Sequence, residues 1–96
     1  MNTLLDFKKI ERISKALGDT YRLKILESVR RQSSECMQCG DIVEMLDLSQ
    51  SAVSHHIKQL VDADLLIAEK DGRKIRYTLN KDVFAAYSDF IKSYYR

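Results

Sequence analysis

Apolar residues recur at spacings of three and four from the start of the chain. Leu4, Phe7, Ile10, Ile13 and Leu17 form the stripe of an amphipathic helix over 4–17 that stops at Gly18. Asp19 is placed to cap a second helix over 20–31. There Leu23, Ile25, Leu26 and Val29 share one side, and Arg30 and Arg31 put favourable charge at the C-terminal end. Ser33 to Gln38 reads as a polar connection. Ile42, Val43, Met45 and Leu46 then predict a short third helix opened around Gln38 to Asp41. Asp47-Leu48-Ser49 interrupts it, and Val53, Ile57, Leu60 and Val61 resume the helical period behind a Ser49 cap.

After Val61 the period changes to two. Leu65–Lys70 and Arg73–Leu79 flank Asp71-Gly72, a pair that favours the type I′ turn of a two-residue hairpin. Ile75, Tyr77 and Leu79 alternate with Lys74, Arg76 and Thr78, so one face should pack and the other stay wet. A last helix from about Lys81 carries Val83, Phe84, Tyr87, Phe90, Ile91 and Tyr94. That stripe is longer than one small core requires. The expected fold is mostly α with a small β-hairpin wing, a winged helix-turn-helix in the order α-α-α-α-β-β-α. The helix-turn-helix spans 39–63 and the wing 65–79.

Composition narrows the class. The 96 residues suit one domain with one core, and 45% apolar with 31% charged residues fits a soluble globular chain. No apolar run reaches the roughly 20 residues of a membrane span, and the first residues lack the blocks of a secretory signal, so a cytoplasmic location is expected. The net charge of +2 says little about nucleic acid, but its distribution is uneven. Residues 1–32 hold eight bases and four acids, whereas residues 33–48 hold four acids and no base, a division that solvated helix faces also explain.

The fourth helix carries the candidate chemistry. Its apolar positions leave Gln50, Ser51, Ser54, His55 and Lys58 on the exposed side, with Ser49 at the start and His56 beside His55. Gln can pair with an adenine edge in bidentate fashion, Ser can donate or accept, and His can meet guanine or phosphate. Ser49 and the first backbone amides suit a phosphate. Lys70, Arg73, Lys74 and Arg76 cluster around the hairpin tip, as a wing on the DNA backbone or in a minor groove would require. Double-stranded DNA is therefore the expected partner.

Taken together, these segments resemble the ArsR/SmtB family of small dimeric winged-helix repressors over nearly the whole chain. Ala16-Leu17-Gly18-Asp19-Thr20-Tyr21-Arg22-Leu23-Lys24-Ile25-Leu26 is similar to the family's opening signature. Leu48 to Ile57 is similar to its recognition helix, and Gly72-Arg73 through Leu79 to its wing. The resemblance implies a homodimer joined through its first and last helices, residues 1–17 and 81–96, with Leu4, Phe7, Phe84, Tyr87, Ile91 and Tyr94 as interface residues. It also implies a repressor released from its operator by an effector. A two-fold dimer would read a roughly palindromic site with half-sites about one DNA turn apart.

Cys36 and Cys39 are the chain's two cysteines, too few for a disulfide framework. They lie where metal-sensing members of the family keep a Cys-x-Cys pair, but the spacing here is Cys-x-x-Cys, and Gln38 and Gly40 fall at the two ligand positions. Two thiols near a helix start can be acidified, take a soft thiophilic metal ion or metalloid, or oxidise to a disulfide. Equally, Cys39 can fill a small apolar slot while Cys36 is an incidental loop residue. A three-thiolate site within one subunit is excluded by the cysteine count. No His follows position 56, so a His-rich site on the last helix is absent as well. An enzymatic dithiol would be expected after a strand in a βαβ unit. Here it precedes a helix in a helical run, so no enzyme is expected. A winged helix used only to bind protein is the other reading, disfavoured because Gln50, Ser51 and His55 are poor hydrophobic anchors.

Overall fold

The structure, a computed structural model, describes residues 5–32 and 36–96, with Cys36 described through its backbone. Leu4, an expected interface residue, lies outside the described residues, as do Ser33, Ser34 and Glu35 of the expected connection after the second helix. The elements are α1 (Phe7–Leu17), α2 (Thr20–Arg31), β1 (Cys36–Gln38), α3 (Cys39–Leu46), α4 (Gln50–Asp62), β2 (Leu66–Asp71), β3 (Lys74–Leu79) and α5 (Lys81–Lys92).

Side-chain caps set where four of the helices begin. The Asp6 carboxylate accepts from the Lys9 amide at 2.8 Å, so α1 opens at Phe7 rather than at position 4. Asp19 accepts from the Arg22 amide, Ser49 from Ala52 and Asn80 from Val83, opening α2, α4 and α5. Between α3 and α4, Asp47 takes the left-handed conformation (φ 54°) that ends a helix and turns the chain within three residues.

The core is built from one face of every helix. Ile13 and Ala16 of α1, Ile25, Leu26 and Val29 of α2, Ile42 of α3, and Val53, Ile57 and Leu60 of α4 pack together with Leu65, Leu66 and Val83. Burying an aliphatic side chain of this size stabilises the fold by about 1.5–3 kcal/mol. Leu23, expected on the inner side of the second helix, is instead exposed.

Two features of the sheet depart from expectation. First, Cys36–Gln38 is a strand, not part of a polar connection, so the order is α-α-β-α-α-β-β-α and the sheet has three antiparallel strands in the order β1-β3-β2. Met37, opposite Tyr77, is buried in the core and anchors this short edge strand. Second, Asp71 pairs with Lys74, so the two-residue loop is Gly72-Arg73, one residue later than expected. Gly72 takes φ 68° while Arg73 does not share a positive φ. Glycine at the first central position with a left-handed φ there alone suits a type II′ turn rather than type I′. On the packing face Tyr77 and Leu79 meet the core, but Ile75 projects past it near the tip and stays exposed.

Candidate nucleic-acid interface

Helix α4 divides its side chains as its period requires. Val53, Ile57 and Leu60 are buried, whereas Ser49, Gln50, Ser51, Ser54, His55 and Lys58 are exposed. The Ser49 hydroxyl caps the Ala52 amide at 3.1 Å and lies 3.3 Å from the Ser51 hydroxyl. His55 Nε2 lies 3.3 Å from the Gln59 amide nitrogen, and Lys58 pairs with Asp62 at 2.9 Å. The exposed row thus presents two-sided hydrogen-bonding groups on a convex helix whose first turn is small, the form a major groove admits.

His56 departs from that row. Its side chain is only 17% exposed and turns toward α2, with Nδ1 3.4 Å from Arg22 Nη1 and 3.8 Å from Asp19 Oδ2. The Tyr21 ring lies 5.8 Å from the imidazole. The Arg22 backbone amide holds the Asp19 carboxyl below its ordinary range, with the Arg22 guanidinium adding to the effect. The physical reason is positional. His56 sits three residues after Val53 and four before Leu60, on the edge of the buried stripe. Asp19, Tyr21 and Arg22 are the residues this cluster adds to those read from the sequence, and each lies inside the opening signature.

At the hairpin, Lys70, Arg73, Lys74 and Arg76 are all exposed. Arg76 is partly compensated, because it stands opposite Glu69 and lies 3.6 Å from Asp71. Lys70, Arg73 and Lys74 make no ion pair among the described residues, and of these Arg73 and Lys74 lie in or next to the turn itself.

The cysteine segment is joined to this hairpin. Strand β1 pairs Cys36 with Thr78, Met37 with Tyr77 and Gln38 with Arg76. Cys39 opens α3, is half-buried and packs against the core, close enough to Tyr77 to contribute, behind burial, to raising that phenol's pKa. No group of three or more His, Cys, Asp or Glu side chains converges among the described residues. The donor chemistry of two thiols therefore suits a soft thiophilic ion, whereas a closed tetrahedral site would need ligands from elsewhere.

One stretch of apolar surface lies between α1 and α5. A groove of about 720 Å³ is lined by Leu5, Phe7, Ile10, Ala86 and Phe90, with Asp6, Asp89, Ser93 and Arg96 at its polar positions. Phe7 is 81% and Tyr94 74% exposed, and Ile91 of α5 is exposed as well. Phe84 and Tyr87 are drawn inward instead, packing against the core, and the Tyr87 hydroxyl lies 2.8 Å from Ser14 Oγ.

A helix-turn-helix with a three-residue turn, followed by a basic hairpin, defines the winged helix-turn-helix class of DNA-binding proteins. Comparison with known proteins carries this further. Residues 19–68 match the family described as bacterial regulatory protein, arsR family. The chain is 40% identical over 76 residues to an arsenical resistance operon repressor of Staphylococcus aureus, covering 79% of this chain and 70% of that one. It is 36% identical over 75 residues to the corresponding repressor of Bacillus subtilis (strain 168), covering 78% and 70%. An ArsR-like transcriptional regulator from Rhodococcus sp. RHA1 superposes with a TM-score of 0.80 at 22% identity, over 91% of this chain and 79% of that one, a likeness of fold. The chain belongs to the arsR family of bacterial regulatory proteins: it is a DNA-binding transcriptional regulator and not an enzyme. Among the described residues no helix is long and apolar enough to cross a membrane.

Proposed function

We propose that the chain is one winged-helix domain that acts in the cytoplasm as a homodimeric repressor, two copies joining through α1 and α5 and reading the two halves of an operator. The observation that carries this is the exposed row Gln50, Ser51, Ser54 and His55 on a helix whose opposite side is locked into the core. Arg73 and Lys74 of the wing add contacts to the phosphates. The open groove lined by Leu5, Phe7, Ile10 and Phe90 supports the dimer, with Tyr94 exposed against Phe90 and Ile91 exposed on α5, because large apolar side chains left in solvent suit a protein interface.

A duplex selected by the protein from a random-sequence pool tests the reading. Ser54→Ala with His55→Ala should remove the preference for the selected site over random duplex while leaving thermal unfolding unchanged. Each lost base contact should cost about 1–3 kcal/mol of discrimination. Unchanged selectivity would overturn the assignment of α4.

For the effector, the names of the curated relatives and the two thiols support release by a soft metal or metalloid, or by a thiol oxidant, at Cys36 and Cys39. The packing of Cys39 against the core favours a second reading in which the cysteines are structural. Titrating the reduced protein on its selected duplex with arsenite, a soft divalent metal and a thiol oxidant separates them. Release that Cys36→Ser and Cys39→Ser both abolish supports sensing, and release by none of the three supports the structural reading.

A further inference from the structure

The Arg22 side chain joins three helices. Its Nε donates to the Ala16 carbonyl at 2.7 Å and Nη2 to the Lys15 carbonyl at 3.0 Å, closing the C-terminal turn of α1, while Nη1 lies 3.4 Å from His56 Nδ1 on α4. The last carbonyls of a helix lack intrahelical partners and carry partial negative charge, so a guanidinium is well matched to them. Its flat fork lets two nitrogens serve α1 while the third reaches α4, which a lysine could not do. Asp19 holds the start of α2 by accepting from the Arg22 amide at 3.1 Å, and its Oδ2 faces His56 from the other side. A second attachment lies further along α4. Arg12 of α1 donates to the Asp62 carbonyl at 3.5 Å, and Lys9 pairs with Asp64 at 3.4 Å.

We propose that Arg22, acting through His56, is a positioning residue for DNA binding that fixes the angle of the recognition helix relative to the dimer helix α1. The inference rests on the two-fold dimer reading given above. In such a dimer α1 belongs to the shared interface, so the angle between α1 and α4 sets the distance and phase between the two recognition helices. His56 then serves DNA binding from behind α4 rather than by touching a base. The apolar contacts of Val53, Ile57 and Leu60 hold α4 to the body, but aliphatic packing alone tolerates small rotations that directional hydrogen bonds resist.

The readout is the tolerance of half-site spacing, measured on the full chain with a duplex selected by the wild-type protein from a random pool. Derivatives carry two base pairs added or removed between half-sites, which rotates one half by about 70° relative to the other. The wild type should prefer the selected spacing by about tenfold or more. His56→Leu and Arg22→Lys should reduce that preference to within about threefold, chiefly by losing affinity for the selected spacing. His56→Asn, whose carbonyl oxygen can stand where Nδ1 stands, should retain most of it. Sedimentation and thermal unfolding check that each variant is a folded dimer. If Arg22→Lys does not fold, the His56→Leu and His56→Asn pair decides. Variants that bind every spacing more weakly by one common factor would overturn the proposal, since that is what a merely structural role produces. A wild type indifferent to spacing would instead overturn the dimer reading beneath it.

Discussion

Arg73 and Lys74 offer the most quantitative test of how the domain meets DNA. Both are exposed at the tip of the β2–β3 hairpin and lack an ion-pair partner among the described residues, whereas Arg76 is shared with Asp71. Each phosphate neutralised releases condensed counterions, contributing about 0.9 to the slope of log affinity against log salt. A dimer carries both wings, so Arg73→Gln with Lys74→Gln removes four such charges and should lower the slope by about 3.6. Doubling the salt should then weaken the wild type about twelvefold more than the variant. Gly72 keeps its left-handed place in the turn, and surface substitutions of this kind change stability by less than about 0.5 kcal/mol, so folding should be unaffected. Fluorescence anisotropy of a labelled selected duplex, titrated at KCl concentrations from about 50 to about 200 mM, measures both slopes. An unchanged slope would refute the assignment of the tip to the phosphates. A fall of half the expected size would mean that a single wing engages.

Further consequences concern stability and assembly. Leu60 is fully buried on the inner face of α4, so Leu60→Ala should destabilise the domain by about 2–5 kcal/mol in urea unfolding, and a loss below about 1 kcal/mol would contradict the packing described. Phe7→Glu with Ile91→Glu places charge in the surface around the α1/α5 groove and should yield a monomer in sedimentation at concentrations where the wild type is a dimer. Persistence of the dimer would move the interface elsewhere. Glu27 is held at about 2, below its ordinary 4.5, by a hydrogen bond from Arg30, with Arg31 adding to it, and Asp19 is lowered chiefly by the Arg22 amide. Both folded-state pKa values are depressed, so each carboxylate's stabilisation is present above its ordinary range and lost on acidification, for Glu27 as pH falls from about 4.5 toward about 2. Glu27→Gln should therefore lose less thermal stability than the wild type between about pH 5 and about pH 2, and parallel curves would contradict that contribution.

The parts legible in the sequence are those governed by local chemistry. Asp19, Ser49 and the apolar period after each fixed the starts of α2 and α4, and the surplus stripe of the last helix matches side chains left exposed in Ile91 and Tyr94. The hairpin was visible, but its register was not. An Asp-Gly pair does not say whether Asp71 belongs to the turn or to the strand, and here cross-strand pairing with Lys74 places it in the strand. Strand β1 left no periodic trace in three residues; it exists because β3 offers an unpaired edge and Met37 reaches the core from it. The inward turn of His56 was hidden for a related reason. Its spacing from Val53 and Leu60 puts it on the border of the helix face, and only Asp19 and Arg22, more than thirty residues earlier, turn it inward. The cysteine pair shows the same limit, since its pairing opposite the wing strand depends on β1.

The central claim is that two copies of α4 read the major groove of one duplex. Guanine N7 lies in that groove, so dimethyl sulfate protection on the selected duplex, compared between the wild type and the Ser54→Ala, His55→Ala double variant, tests it most directly. Two protected clusters, centred about 10 base pairs apart and lost together in the double variant, are the expected result. A single cluster, or protection that survives unchanged when Ser54 and His55 are removed, would contradict the account.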